Sequence, residues 1–514
     1  MAQRSVTGSL VLFVGNFLQT LVSAIGVIIV ARLLGPGNYG IYTLSLVIPG
    51  LIQLFLGLGV NVAVTRYAAY YLSVGKPEEA RRFSSNAVLF LTMFGLLLAA
   101  TNYAAAGFLS SQLLHRPEIA QFVQVASVVI LGQAVFQAST AALIGWNSMK
   151  LVSASQVVQA ILKMGLSVGL VLAGFGVMGA VLGQVASFLL AGVLAASALY
   201  VMRLRGPRRD LGTFVRDVRE MTRYGLPLFA GSLISGLASS YLFVILAAIA
   251  SNNVVGYYGT ASYITSPIGL LSSAIGSALL PAFASLDGTG GDLAAGLRYA
   301  VKYVAYVVTP VVAFLIPAAV VLIDLLLTST YSSGVIYLQL LAVANLPIVL
   351  GSTVLPVFLA GVGRTRLAMY ATTSGAIVLV VFAPLFGVAS GLGVPGLIYA
   401  SLLSNLTSVV VGLALASRYM HFTIDYRSAA GVLIASMVAL ALTSPIALLP
   451  VLEIAILIAQ MLVFLAVYLI AVPLLRGINR DDIVRLEAVM SGFGPLAVLV
   501  KPLLRFERRL LEVV

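Results

Sequence analysis

Residues 8–31 read GSLVLFVGNFLQTLVSAIGVIIVA, and no charged side chain interrupts them. A helix crossing the hydrocarbon of a bilayer needs about 20 apolar residues, so the stretch reads as a first membrane span. It is too long for the apolar region of a cleavable signal peptide. Outward from it, runs of the same kind, bounded by charges or by Gly, Pro and Asn clusters, recur near 40–64, 85–108, 120–144, 153–173, 177–201, 224–250, 257–283, 303–327, 335–360, 367–387, 395–417, 429–449 and 451–475. The rest of the composition agrees: of 514 residues 61% are hydrophobic and 9% charged, and the mean hydropathy is +1.09. No soluble core of this length needs that much apolar material, whereas about fourteen spans would absorb it. The 48 Gly and 19 Pro suit the same class, because bundled membrane helices tolerate both. The expected fold is an all-α polytopic membrane protein with about fourteen transmembrane helices.

A formal charge of +13 would raise the question of nucleic acid in a soluble protein. Its placement answers otherwise. If the N-terminus is inside, the inner segments collect all but three of the 29 Lys and Arg; Arg32 and Arg116 fall outside, and Lys163 falls within a span. The positive-inside rule then places both termini in the cytoplasm, in a multi-pass protein of the cell membrane with no nucleic-acid partner. The chain has no Cys, which excludes disulfides and thiolate chemistry, and its two His, His115 and His421, are too far apart in sequence to form a metal pattern. Neither a metal nor a cofactor is expected.

The sequence also repeats. At an offset of 216, Gly15, Ser23, Gly40, Tyr42, Arg82, Leu143, Gly145 and Leu151 meet Gly231, Ser239, Gly256, Tyr258, Arg298, Leu359, Gly361 and Leu367. At 217, Gly174, Gly176 and Gly179 meet Gly391, Gly393 and Gly396, and Ser187 meets Ser404. A near-constant register across six spans predicts two six-helix lobes entering the membrane in the same direction, related by an axis along its normal, with a cavity between them. The expected division is an N-terminal lobe over 1–202, a basic cytoplasmic linker over 203–223 and a C-terminal lobe over 224–417. Two extra helices follow over 418–475, then a cytoplasmic tail over 476–514. Within that tail, 479–490 suits either an interfacial helix or a solvated segment. Pro49 and Pro267, inside the second span of each lobe, should each kink their helix; both packing and a hinge for lobe closure fit them.

Catalysis needs reactive groups gathered in one place, and the short outer loops hold only isolated acids, with Glu118 in a loop and Asp324 and Glu453 near helix ends. The bilayer interior says more. Lys163 lies deep in the fifth span, where an ammonium costs roughly 2.5–3.5 kcal/mol and normally faces a cavity or a partner. Gln156, Gln159 and Lys163 share one helical face. Gln133, Gln137 and Thr140 stripe the fourth span; Asn16, Gln19 and Ser23 stripe the first; and Gln53, Asn61 and Thr65 stripe the second. Four polar faces in one lobe suggest a wet cavity able to bond a hydroxyl-rich ligand, although each amide alone also suits interhelical bonding. Lys163 fits a phosphate or pyrophosphate, a carboxylate such as Asp324, or a snorkelling or structural bond. Arg32 fits an outer gate or an interfacial anchor, and Arg66 an inner-mouth cation or a topology charge.

The segment Ala31-Arg32-Leu33-Leu34-Gly35-Pro36-Gly37-Asn38-Tyr39-Gly40 is followed by the inner loop from Arg66-Tyr67 to Lys76-Pro77-Glu78-Glu79-Ala80-Arg81. Together these resemble the start of polysaccharide-biosynthesis flippases of the multidrug/oligosaccharidyl-lipid/polysaccharide exporter superfamily. Tyr224-Gly225-Leu226-Pro227, Val255-Gly256-Tyr257-Tyr258 and the glycines at 174–179 resemble later spans and a turn of the same family. The resemblance implies an alternating-access flippase that carries a polyprenyl-(pyro)phosphate-linked oligosaccharide from the inner to the outer leaflet through a cationic central cavity, for cell-surface polysaccharide or glycoprotein assembly. Lys163, and then Arg32 and Arg66, are the positions suited to the phosphate. The implied partners are that lipid-linked substrate, membrane lipids, and glycan polymerase or transferase machinery. The competing reading is a cation-coupled multidrug exporter of the same superfamily, which would need a membrane-embedded carboxylate; the first span has none. A membrane glycosyltransferase would need a large reactive outer loop, and none is present.

Overall fold

In hydrocarbon every backbone N–H and C=O must be satisfied within the protein, which leaves helices as the economical solution for a chain of apolar runs. The computed structural model describes residues 2–201, 211–288, 292–420, 425–484, 506–508, 510 and 511, and all of its regular elements are helical. They are α1 (Ala2–Ser45), α2 (Val47–Gln53), α3 (Val60–Ser73), α4 (Pro77–Gln112), α5 (Ala120–Ala126), α6 (Val128–Gly145), α7 (Met149–Leu170), α8 (Gly176–Leu199), α9 (Leu211–Ile249), α10 (Asn252–Gly288), α11 (Leu293–Leu326), α12 (Val335–Asn345), α13 (Val354–Gly361), α14 (Thr365–Pro384), α15 (Val394–Met420), α16 (Tyr426–Thr443) and α17 (Glu453–Leu474). Among the described residues ten stretches are long and apolar enough to cross a membrane. Two of these, Val14–Gln53 and Met149–Leu199, double back, at Gly35 and at Gly174. Large apolar side chains such as Met93, Leu97, Phe108, Leu172 and Val193 point outward, as they must where the solvent is lipid.

The chain divides into two compact units, 1–260 and 261–514. In the first, α1 packs on α7 and α8, α6 on α4 and α8, and α3 on α4, α6 and α9. Its inner-end core joins Val60, Ala63 and Val64 of α3, Phe83 and Leu91 of α4, Ala142 and Leu143 of α6, Trp146, and Met221 of α9. In the second, α11 packs against α12, α16 and α17, while α14 lies on α15. The division falls within α10, later in the chain than the expected 203–223 linker, because α9 is drawn onto α2, α3 and α4.

Local geometry follows the repeated glycines. A π-helical turn at Val171–Phe175 contains Gly174 and is followed by Gly176, both in left-handed conformations (φ 92° and 53°). A second π-turn, Leu385–Ala389, precedes Gly391 and Gly393 (φ 72° and 63°). Each unit thus builds the same reversal, with glycine where the left-handed backbone would strain any side chain.

Three expectations need adjustment. The second half of the linker is not a loop: α9 begins at Leu211, because Met221 and Asp217 are fully buried, Met221 in that inner-end core. The second span is broken rather than merely kinked. Its helix stops at Ser45, resumes at Val47 ahead of Pro49, and opens again over 54–59, where Leu58 (φ 41°) and Gly59 (φ 77°) turn left-handed. Pro49 removes a donor one turn after Ser45, whereas α10 runs unbroken through Pro267. In the tail, Asp482 and Ile483 are buried rather than spread on an interface; residues 485–490 of the expected interfacial helix, like His421, lie outside the described residues.

Candidate functional site

Lys163 sits half-buried on α7, and a narrow pocket opens beside it. Its lining comes from α1 (Ser23, Gly26, Val27, Val30), from Tyr42 beyond the Gly35 bend, and from Lys163, Met164 and Ser167 of α7. Local sequence explains the convergence. Lys163 and Ser167 are four residues apart and share a face. Gly26 has no side chain, so α1 lies against Met164; a Cβ there would come within 2.9 Å of the Met164 Cβ. The space is narrow, with room for about one ordered water between the side chains. Around it, the Tyr42 hydroxyl donates to Gln184 Oε1 at 3.4 Å, and the Ser167 hydroxyl donates to the Ala180 carbonyl at 3.3 Å. With those two hydroxyl protons committed, the groups of the lining that can donate to an anion are the Lys163 ammonium and the Ser23 hydroxyl, while the Tyr42 and Ser167 oxygens can still accept.

The amide stripes divide. Asn61 Nδ2 donates to Gln137 Oε1 at 3.4 Å, joining α3 to α6, and Thr65 donates to the Ala141 carbonyl at 2.9 Å. Gln159 is 3% exposed and donates to Ser187 Oγ of α8 at 3.4 Å, an interhelical bond rather than a lining group. Three amide oxygens, Asn61 Oδ1, Gln133 Oε1 and Gln156 Oε1, are buried without a hydrogen-bond partner. Such acceptors are costly unless a donor arrives, and hydroxyls supply donors. Asn16 is exposed and Gln19 half-buried on α1.

The two arginines lie apart from this pocket's lining. Arg32 is exposed three residues before the Gly35 bend. Arg66 is exposed at the inner end of α3, its guanidinium carbon 4.3 Å from the Tyr224 ring centroid and 5.6 Å from that of Tyr67. This is cation–π geometry at the edge of a cluster that includes Tyr71 and Phe83. Tyr42 and Ser167 were not among the expected site residues. The signal for Tyr42 was its repeat partner Tyr258; for Ser167 it was the four-residue step from Lys163.

Broken and reversed helices, long and apolar enough to cross a membrane, define a polytopic helical membrane protein. Solved structures share the fold. The lipid II flippase MurJ in an inward closed conformation matches with a TM-score of 0.73 at 14% identity, covering 90% of this chain and 98% of that one. An inward-facing multidrug resistance MATE family transporter of the MOP superfamily matches at 0.62 and 20%, covering 78% and 94%. A MOP superfamily transporter from Pyrococcus furiosus, described as having a binding pocket of reverse polarity, matches at 0.59 and 20%, covering 81% and 95%. No curated protein matches the sequence. Residues 5–287 match the polysaccharide biosynthesis protein family, and the chain belongs to it.

Proposed function

We propose that the protein is a flippase that moves a polyprenyl-(pyro)phosphate-linked oligosaccharide from the inner to the outer leaflet of the cell membrane by alternating access, with fourteen spans and both termini cytoplasmic. The observation that carries this reading is the Lys163 pocket. It has a lysine in its lining, on a helix within the apolar stretch Met149–Leu199, in a half of the chain where Glu78, Glu79, Glu118, Asp210, Asp217 and Glu220 all lie at or beyond the ends of the expected spans. A pocket of that charge favours an anionic cargo, and the orphaned amide oxygens suit its sugar hydroxyls. The pocket is closed to a headgroup in this state, so direct entry at Lys163 requires α1 and α7 to separate at Gly26, and the larger passage for the sugar is the cavity expected between the lobes.

The test is mass spectrometry of lipid-linked glycans in cells depleted of the protein, with a membrane-impermeant probe reporting their leaflet. A complete lipid-linked glycan accumulating on the inner face is the expected result. Lys163→Ala, expressed at the parental level, should leave transport at roughly a tenth or less, the loss of one charge-assisted contact; normal transport by that variant would sink the role of Lys163. An unchanged lipid pool with lost resistance to cationic compounds would favour the drug-exporter reading instead.

A further inference from the structure

At the end of the first unit opposite its basic loops, the repeat register becomes a physical contact. Pro36 and Asn252 are 216 residues apart, as are Gly40 and Gly256. A Cβ placed on Gly40 would overlap the Asn252 carbonyl, and one on Gly256 would overlap the Pro36 carbonyl. These two contacts are images of one another under the repeat, the signature of a two-fold, isologous pairing. Only glycine permits backbones this close. Pro36 starts the limb of α1 beyond the Gly35 bend and Asn252 starts α10, so two equivalent helix starts meet there.

Arg116 holds this seam from the side. Its backbone is fixed in the turn after α4, where its N–H donates to the Ser110 carbonyl at 2.8 Å, and its side chain is only 16% exposed. The guanidinium donates to Asn252 Oδ1 at 2.5 Å, to the Ala247 carbonyl at 3.3 Å and to the Ala250 carbonyl. The last two belong to the C-terminal turn of α9, whose carbonyls have no helical donor and carry the negative end of the helix dipole. Arg116 therefore satisfies the corner between α9 and α10 and also binds the side chain of the residue whose carbonyl rests on Gly40.

We propose that Arg116 is the latch of an outer gate: its guanidinium holds the α9–α10 corner, and through Asn252 the Gly40–Gly256 seam, in the closed arrangement, and the seam parts only when that clip lets go. The gating role rests on the transporter reading; the latch itself does not. Because the natural chain has no Cys, single cysteines report cleanly. Thr260 is 3% exposed, one turn below Gly256, so Thr260→Cys in the full-length protein in membrane vesicles should react with an outside, membrane-impermeant thiol reagent only when the seam opens.

Adding Arg116→Ala should speed that labelling roughly tenfold, through loss of charged hydrogen bonds. Arg116→Lys, which retains charge without the three-way fork, and Asn252→Ala, which removes one acceptor, should give smaller increases and serve if the alanine variant does not fold. The exposed Asn38→Cys control should label at an unchanged rate. Equal Thr260→Cys labelling rates in folded parent, Arg116→Lys and Asn252→Ala proteins would overturn the latch. Disulfide closure of a Gly37→Cys, Asn253→Cys pair should block glycan export, and reductant should restore it. Export that continues through the closed disulfide would overturn the gate while leaving the flippase reading intact. Faster labelling without any glycan transport would keep the latch and remove the flippase reading.

Discussion

Removing either member of the Arg82–Asp217 pair should destabilise the protein unequally, and the structure says which way. Asp217 on α9 is fully buried; it accepts from Arg82 Nε at 2.9 Å and Nη2 at 3.4 Å, and from Asn86 Nδ2 at 2.9 Å. The Arg82 side chain is 30% exposed and also meets Glu79 at 2.6 Å. Arg82→Ala therefore strands a buried carboxylate, a loss of roughly 3–5 kcal/mol when a partner is removed. The low end is expected, because the exposed Arg216 stands 3.8 Å from Asp217 and can turn toward it. Asp217→Ala leaves a guanidinium that keeps Glu79 and reaches water, and orphans only the buried Asn86 donor, a loss of about 1–2 kcal/mol. The double variant should fall short of the sum of the single losses. The only Trp, Trp146, reports this region, since it packs in the same inner-end core and donates to Ser84 Oγ at 3.0 Å. Its fluorescence during denaturation in detergent would rank the variants. A loss for Asp217→Ala equal to or larger than that for Arg82→Ala would refute the reasoning that burial of the carboxylate sets the energy.

Gly225→Ala should destabilise by roughly 1–3 kcal/mol, because a Cβ at Gly225 would overlap the Gly59 backbone where α9 crosses the start of α3; thermal unfolding of the variant in detergent checks it, and an unchanged melting point would contradict the close approach. Burial pushes the Glu507 carboxyl up to about 7 from 4.5, while the hydrogen bond it accepts from Tyr306 at 2.5 Å pulls the other way. With the folded value raised, docking of the 506–508 segment is strongest below the ordinary carboxylate range and weakens as pH rises through about 7. Proteolysis of the tail should thus accelerate as pH rises from about 4.5 to about 7 and level off above that, and Glu507→Gln should flatten the dependence.

What could be read from sequence was whatever depends on near neighbours in the chain. Apolar runs gave helices, and the glycines at 174–179 and 391–396 gave matching left-handed turns, because each signal is local. The opening at 54–59 was hidden, since its residues are apolar apart from Gly57 and Gly59, and the place where the backbone tightens depends on Gly225, far along the chain. The charge-rich stretch before Tyr224 read as a loop, since nothing local reveals that Arg82 and Asn86 will shelter Asp217. The Gln156–Gln159–Lys163 face was visible as a face. That Gln159 would turn to Ser187 while Lys163 lined a pocket with Ser23 and Tyr42 was decided by the packing of α1 and α8 on α7.

The repeat also shows equivalent positions put to equivalent structural use. Arg82 and Asn86 correspond, at the 216-residue offset, to Arg298 and Lys302. In the first unit the Arg82–Asn86 pair holds the buried Asp217 of α9; in the second, Lys302, 8% exposed, meets Asp482 at 2.6 Å and Asp425 at 3.7 Å. The position is the same in both: one or two turns into the equivalent helices α4 and α11, each gripping a carboxylate from a segment next to the membrane end. The donor differs, however: in the second unit one ammonium, with three donors and a full charge, meets carboxylates from both the start of α16 and the stretch after α17. Inner-end cations of this kind are committed to holding helices together, so they cannot also follow a headgroup through a cycle without loosening the bundle.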